Sequence, residues 1–140
     1  MQTERMLLRS SFFLFLLALI TGLAIPAFHN PRAGLSAHIT GLLNSFALTA
    51  LAVAWPHLHS SPARKKVLKA MFLACAYTIW FSNVLTAVWG TNWLTPIAGR
   101  GFHAPYGEQV IVAVIILVTA WTYLVAAAIV VWDLRPKIVG

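Results

Sequence analysis

Apolar residues run along this chain in four long stretches, each closed by charged or turn-forming positions. Arg9 and Arg32 bracket 22 uncharged residues, numbers 10–31. Further uncharged runs lie between Arg32 and Arg64, between Lys69 and Arg100, and between Glu108 and Asp133. A helix rising 1.5 Å per residue needs about 20 apolar residues to cross a hydrocarbon core of about 30 Å. Each run is long enough for one crossing and none for two. The pattern predicts an all-α membrane protein, with residues 1–140 forming a single four-transmembrane-helix domain. Its spans are expected near 7–28, 35–56, 68–89 and 109–132.

Composition points the same way. Hydrophobic residues make up 60% of the 140 positions and charged residues only 9%. A soluble domain carries about 25% charged residues, so lipid must cover much of this surface. The net charge of +7 raises the question of nucleic acid, and the placement of the charge answers it. Arg5, Arg9, Arg64, Lys65, Lys66, Lys69, Arg135 and Lys137 fall at the N-terminus, the second connection and the C-terminus; Arg32 and Arg100 fall on the other side. This split is the positive-inside pattern, which puts both termini in the cytoplasm and leaves no nucleic-acid face. The first apolar run exceeds the 7–15-residue core of a secretory signal and lacks a small-residue cleavage site, so it reads as a retained span. The single cysteine, Cys75, lies inside the third run and excludes an internal disulfide or a cysteine zinc site.

The connections differ in character. Residues 29–34 form a tight Pro/Gly turn, and 57–67 a polar, basic one. Residues 90–108 form the longest, with Pro96, Gly99, Gly101, Pro105 and Gly107. Long irregular connections are more often functional than short ones, and this one is expected to fold over the outer end of the helices as a lid.

Polar side chains inside a span are costly, which makes them the default functional candidates. On span two, His38, Gly41, Asn44 and Ser45 occupy an arc of roughly 120° on one side of the helix. Gly41 leaves a gap where a flat ligand or another helix can approach. On span three, Trp80, Asn83 and Ala87 share a face, with Tyr77 nearby. Two readings of His38 stand at this point: a histidine hydrogen-bonded to a carbonyl, which is the commoner case, or a ligand to a group held in the membrane. The asparagines read either as interhelical bonds worth about 1 kcal/mol each or as orienting groups across a pocket. No acid lies mid-membrane, since Glu4, Glu108 and Asp133 sit at span ends, and this disfavours a proton-coupled exporter. Only His38 lies clearly within a span, so a haem held there would keep an open iron position, suited to substrate chemistry more than to electron transfer.

The stretch Asn30-Pro31-Arg32-Ala33-Gly34-Leu35, followed by His38, Gly41 and Asn44, resembles the hydroxylaminobenzene mutase family. So does Ala87-Val88-Trp89-Gly90-Thr91, followed by Thr95-Pro96-Ile97-Ala98-Gly99. The resemblance extends over nearly the whole chain. It implies a membrane enzyme of the bacterial inner membrane, multi-pass, that moves the hydroxyl of an aryl hydroxylamine from nitrogen to the ortho ring carbon. The family is in turn distantly similar to styrene oxide isomerase, a trimer that holds haem b at its subunit interfaces and converts an epoxide to an aldehyde. The six-residue step from that enzyme's haem-ligating histidine to its substrate-orienting asparagine is repeated by His38 and Asn44, and its asparagine–valine pair by Asn83-Val84. The position of its tyrosine shortly after that pair falls at Ala87 here, which favours the mutase reaction over the epoxide one.

The resemblance therefore implies haem b on His38; the gap at Gly41 is expected to admit the flat cofactor, Arg32 to stand beside it, and the iron to act as a Lewis acid. It also implies Asn44 and Asn83 as orienting groups, Tyr77 and Trp80 against the substrate ring, a small aromatic substrate drawn from the lipid bilayer, and a homotrimer. Arg32 is placed either on a haem propionate or in an ion pair with Glu108 that holds the lid. The rival readings are a haem-dependent epoxide isomerase and a non-catalytic haem-binding or structural subunit.

Overall fold

The structure, a computed structural model, describes residues 1–136; Lys137 lies outside the described residues. Four helices form in the predicted order: α1 (Gln2–Leu23), α2 (Pro31–Ala54), α3 (Pro62–Trp89) and α4 (Tyr106–Asp133). All four are long and apolar enough to cross a membrane, and no strand occurs among the described residues. The helices begin upstream of the apolar runs, and at α2 and α3 a side-chain cap, not hydropathy, sets the start. Asn30 caps α2 by accepting the Ala33 N–H at 3.2 Å, and Ser61 caps α3 by accepting the Arg64 N–H at 3.4 Å. In both, proline follows the cap, where a missing N–H costs nothing. The first helix ends at Leu23, short of the expected Phe28, because Pro26 turns the chain into a short 3-10 segment, Ile25–Ala27. Gly90, at φ 74°, closes α3 in the left-handed conformation that only glycine adopts cheaply.

The helices pack in chain order, α1 on α2, α2 on α3 and α3 on α4. Two long side chains of α3 also reach α1: the Tyr77 hydroxyl donates to the Ser10 carbonyl at 2.8 Å, and the Trp80 indole N–H to the Thr21 hydroxyl at 3.3 Å. The last helix, α4, is the least buried of the four. It is tied at both ends. Gln109 bonds to Asn92 at one, and at the other the carboxylate of Asp133 accepts from Ser60 and lies 3.8 Å from Arg64.

The two halves of the layer have different interiors. Toward the chain termini the core is large and apolar, built from Leu7, Leu14, Leu48, Leu51, Leu68 and Phe72. Toward the 90–105 connection it is small and polar: Ala18, Thr21, Ala37, Gly41, Ser82, Thr86 and Ala87. Helix α2 carries Ala33, Ala37, Gly41, Ser45 and Thr49 at every fourth position. Such a small-residue stripe lets helices approach closely in lipid, where no hydrophobic force holds them together. The contact is sealed by the Ser11 and Thr49 hydroxyls, which share the Ser45 carbonyl at 2.7 and 3.2 Å.

Candidate active site

Close approach of α1 and α2 brings a backbone carbonyl to a histidine. The ring Nδ1 of His38 lies 2.7 Å from the Ala18 carbonyl oxygen. A carbonyl can only accept, so Nδ1 carries the proton and donates. With Nδ1 donating, Nε2 is the nitrogen left to act as a ligand, and it has no hydrogen-bond partner among the described residues. This is the arrangement that prepares a histidine as a metal ligand: one nitrogen anchored to a carbonyl, the other fixed as the donor. The ring forms part of the wall of a groove of about 490 Å³ between α1 and α2, whose other lining residues, Leu19, Gly22, Leu23, Ile25 and Leu35, are apolar.

Two glycines create this geometry. A Cβ on Gly41 would lie 2.7 Å from the Ala18 Cβ and 2.8 Å from Trp80 Cδ1, so this position sets the spacing of α1, α2 and α3 around Ala18. A Cβ on Gly22 would lie 2.7 Å from His38 Nδ1. Gly41→Val therefore forces α1 and Trp80 away from α2. Overpacking of this kind costs about 1–3 kcal/mol, and thermal unfolding in detergent should show the loss together with reduced turnover.

The asparagines are placed differently from the histidine. The Asn44 amide donates to the Thr40 carbonyl at 2.8 Å and the Asn83 amide to the Ile79 carbonyl at 2.9 Å, each within its own helix. Both side-chain oxygens accept nothing among the described residues, and both residues are half-buried. No hydrogen bond joins Asn44 to Asn83. Trp80 braces the Ala18–Gly41 contact. Tyr77 lies elsewhere: its hydroxyl reaches Ser10, two helical turns from Ala18, and its ring lines a separate groove with Met6, Arg9 and Phe13.

The 90–105 connection is pinned, not loose. Asn30 is fully buried and uses every polar atom. Its N–H donates to the Ala87 carbonyl at 2.9 Å, its carbonyl accepts the Gly34 N–H at 3.0 Å, and its side chain spans the Ala33 N–H and the Ala98 carbonyl, the latter at 2.9 Å. Asn92 and Gln109 form a second knot, with Gln109 Oε1 accepting the Asn92 and Trp93 N–H groups and Asn92 donating to the Phe102 carbonyl. Gly99 packs so tightly that a Cβ would lie 2.6 Å from that of Asn92.

Arg32 corrects one expectation. It makes no ion pair with Glu108; its guanidinium donates to the Arg100 carbonyl and lies 5.9 Å from the Phe102 ring centre. The connection holds Arg32 with a carbonyl and an aromatic face, without drawing on the acid.

Sequence reasoning missed Gly22 and Ala18, which sit in an unbroken apolar run and carry no signal of their own. It also passed over Asn92 and Gln109, whose partners are distant in sequence. Among the described residues no three His, Cys, Asp or Glu side chains gather closely enough to hold a bare metal ion. A single histidine with a prepared lone pair against an apolar groove instead fits a metal that arrives already held by a flat macrocycle.

A model of the styrene oxide isomerase family matches residues 3–135. Hydroxylaminobenzene mutase HabB of Ectopseudomonas oleovorans is 33% identical over 132 residues, which cover 94% of this chain and 80% of that protein. Hydroxylaminobenzene mutase HabA of the same organism is 35% identical over 107 residues, 75% of this chain and 79% of that protein.

Proposed function

This chain belongs to the styrene oxide isomerase family and is a multi-pass membrane isomerase, and on that premise we propose that it rearranges aryl hydroxylamines to ortho-aminophenols. The observation that carries the reading is His38, held by the Ala18 carbonyl with Nε2 free beside an apolar groove. His38 would hold haem b through Nε2. Arg32, whose guanidinium has N–H groups beyond the one given to Arg100, would meet a propionate at the outer end of the same helix. The chemistry such a group supplies is Lewis-acid polarisation of the hydroxylamine N–O bond.

The remaining work falls to the chain. An apolar groove takes an aromatic ring from the bilayer without desolvating any buried charge. The free side-chain oxygens of Asn44 and Asn83 accept hydrogen bonds from the substrate's N–H or O–H and fix which ring carbon faces the departing oxygen. Asn44 follows His38 by six residues, about 9 Å along the helix, so it would reach a small substrate bound at the cofactor that His38 holds. In the net reaction the N–O bond breaks, a C–O bond forms at the ortho carbon, that carbon loses its proton and nitrogen gains one, with no change of oxidation level overall. Exclusion of water keeps the oxygen from being replaced by solvent. The basic residues Arg5, Arg9, Arg64, Lys65, Lys66, Lys69 and Arg135 lie at the end of the layer opposite Arg32 and Arg100, which favours a bacterial inner membrane with that end in the cytoplasm. A homotrimer completing the open groove belongs to the same reading.

One observation favours epoxide isomerisation as a second reading, namely the description of the matching family model. Against it, Ala87 is fully buried and its carbonyl accepts from Asn30, so that position offers no hydroxyl to an epoxide. The test is a purified, haem-replete sample supplied separately with phenylhydroxylamine and with styrene oxide. A Soret band and ortho-aminophenol from the first substrate support the proposal. Phenylacetaldehyde alone favours the second reading, and a sample with no Soret band overturns the haem assignment.

A further inference from the structure

Gly22 is one of the most sharply constrained positions in the outer half of the layer, and helix geometry explains why. It follows Ala18 by four residues, so it stands directly beside the Ala18 carbonyl on the same face of α1. That carbonyl is the one that accepts from His38 Nδ1 at 2.7 Å. Any side chain at position 22 would occupy the space the imidazole needs to reach it. The three nearest atoms that a Cβ there would meet all belong to His38: Nδ1 at 2.7 Å, Cε1 at 2.9 Å and Cγ at 3.3 Å. The side chain, not the backbone, is what would yield.

We propose that Gly22 is a positioning residue for His38: its missing side chain is the seat that holds the imidazole on the Ala18 carbonyl and so fixes Nε2 as the donor toward the groove. The inference rests on the haem reading above for its functional consequence, although the seat itself rests on the contact geometry alone. Glycine is otherwise a poor choice here. It lies in the last turn of α1, where alanine is still the better helix former, by up to about 1 kcal/mol. It also adds no surface to the apolar groove it lines. Its presence is accounted for by the ring beside it.

The substitution Gly22→Ala separates seat from scaffold, because the two roles have opposite signs for stability. As a helix residue alanine should raise the melting temperature or leave it unchanged; as a seat it should unseat His38. Loss of an anchoring partner of a metal-bound histidine typically lowers affinity about 10- to 100-fold. Haem titration of the full chain in detergent, followed by the Soret band, should show a loss of that size in Gly22→Ala. The Gly107→Ala control, where a Cβ meets nothing within 4 Å, should bind haem as the parent does. A double-mutant cycle with His38→Ala, read by thermal unfolding, isolates the contact. Removing the ring should abolish any destabilisation by Gly22→Ala. Parent-like haem affinity in Gly22→Ala overturns the inference while leaving the haem reading intact. Equal destabilisation by Gly22→Ala with and without His38 also overturns it, since the backbone and not the ring would then be at fault. Absence of haem from the parent protein overturns the functional consequence and the reading beneath it, and the cycle alone then decides whether the seat exists.

Discussion

His38→Ala should abolish haem retention and lower turnover of phenylhydroxylamine by about a thousandfold, because a Lewis-acid contribution of several kcal/mol disappears at about 1.4 kcal/mol per tenfold. The fold should survive the change. His38 is only half-buried, and its one hydrogen bond is to a carbonyl, Ala18, that belongs to α1. Deleting the ring strands no buried charge, and the neighbouring Gly41, Ala18 and Trp80 contacts do not depend on it. Unchanged thermal unfolding of the cofactor-free variant alongside lost activity is the expected pair of results. Full activity in this variant would remove His38 from the site.

Asn30→Ala should produce the largest loss of stability of any single change outside the apolar core. Asn30 is fully buried, and its side chain is bonded on both sides, to the Ala33 N–H and the Ala98 carbonyl. Removing an N-cap costs about 1 kcal/mol, and leaving a sheltered carbonyl without its donor costs about 1–3 kcal/mol more. The sum, about 2–4 kcal/mol, is a large part of what a small protein has. The damage should also be local. With Ala98 released, protease cleavage between residues 90 and 105 should accelerate before global unfolding. Asn30→Asp discriminates the two bonds: its carboxylate keeps the cap on Ala33 but cannot donate to Ala98. It should recover the stability of the cap and remain cleavable in the connection. Equal behaviour of the two variants would show that the two bonds do not act separately.

The contrast between these residues shows what was legible in the chain. Four spans were readable because hydrocarbon thickness imposes one length on every crossing, and the uncharged runs between Arg9 and Arg32, Arg32 and Arg64, Lys69 and Arg100, and Glu108 and Asp133 meet it. His38 was conspicuous because a histidine is rare among such neighbours. The tight 29–34 turn was marked by Pro31 and Gly34, whereas the capping role of Asn30 emerged only from its bond to the Ala33 N–H. Gly22 and Ala18 were invisible: a small residue in an apolar run says nothing about which side chain another helix will lay against it. The packing order was also beyond reach, because exposed positions of α4 such as Val114 and Leu117 are as apolar as its buried Val112 and Ala126. The Arg32–Glu108 pair, one of the two placements offered for Arg32, does not form, for a related reason. Charge complementarity names possible partners, whereas the Arg100 carbonyl and Phe102 ring were brought to Arg32 by a connection whose path the Asn30, Asn92 and Gln109 knots decide. Tyr77 was expected against the substrate ring, yet its hydroxyl belongs to Ser10 at the other half of the layer.

The central claim is an intramolecular hydroxyl transfer in a dry groove beside His38, and the oxygen atom itself reports on it. Phenylhydroxylamine labelled with oxygen-18 at its hydroxyl, turned over in ordinary water by the purified haem-loaded protein, should give ortho-aminophenol that retains the label. Ortho product carrying solvent oxygen, para product in comparable yield, or no product from the haem-loaded protein would contradict the account.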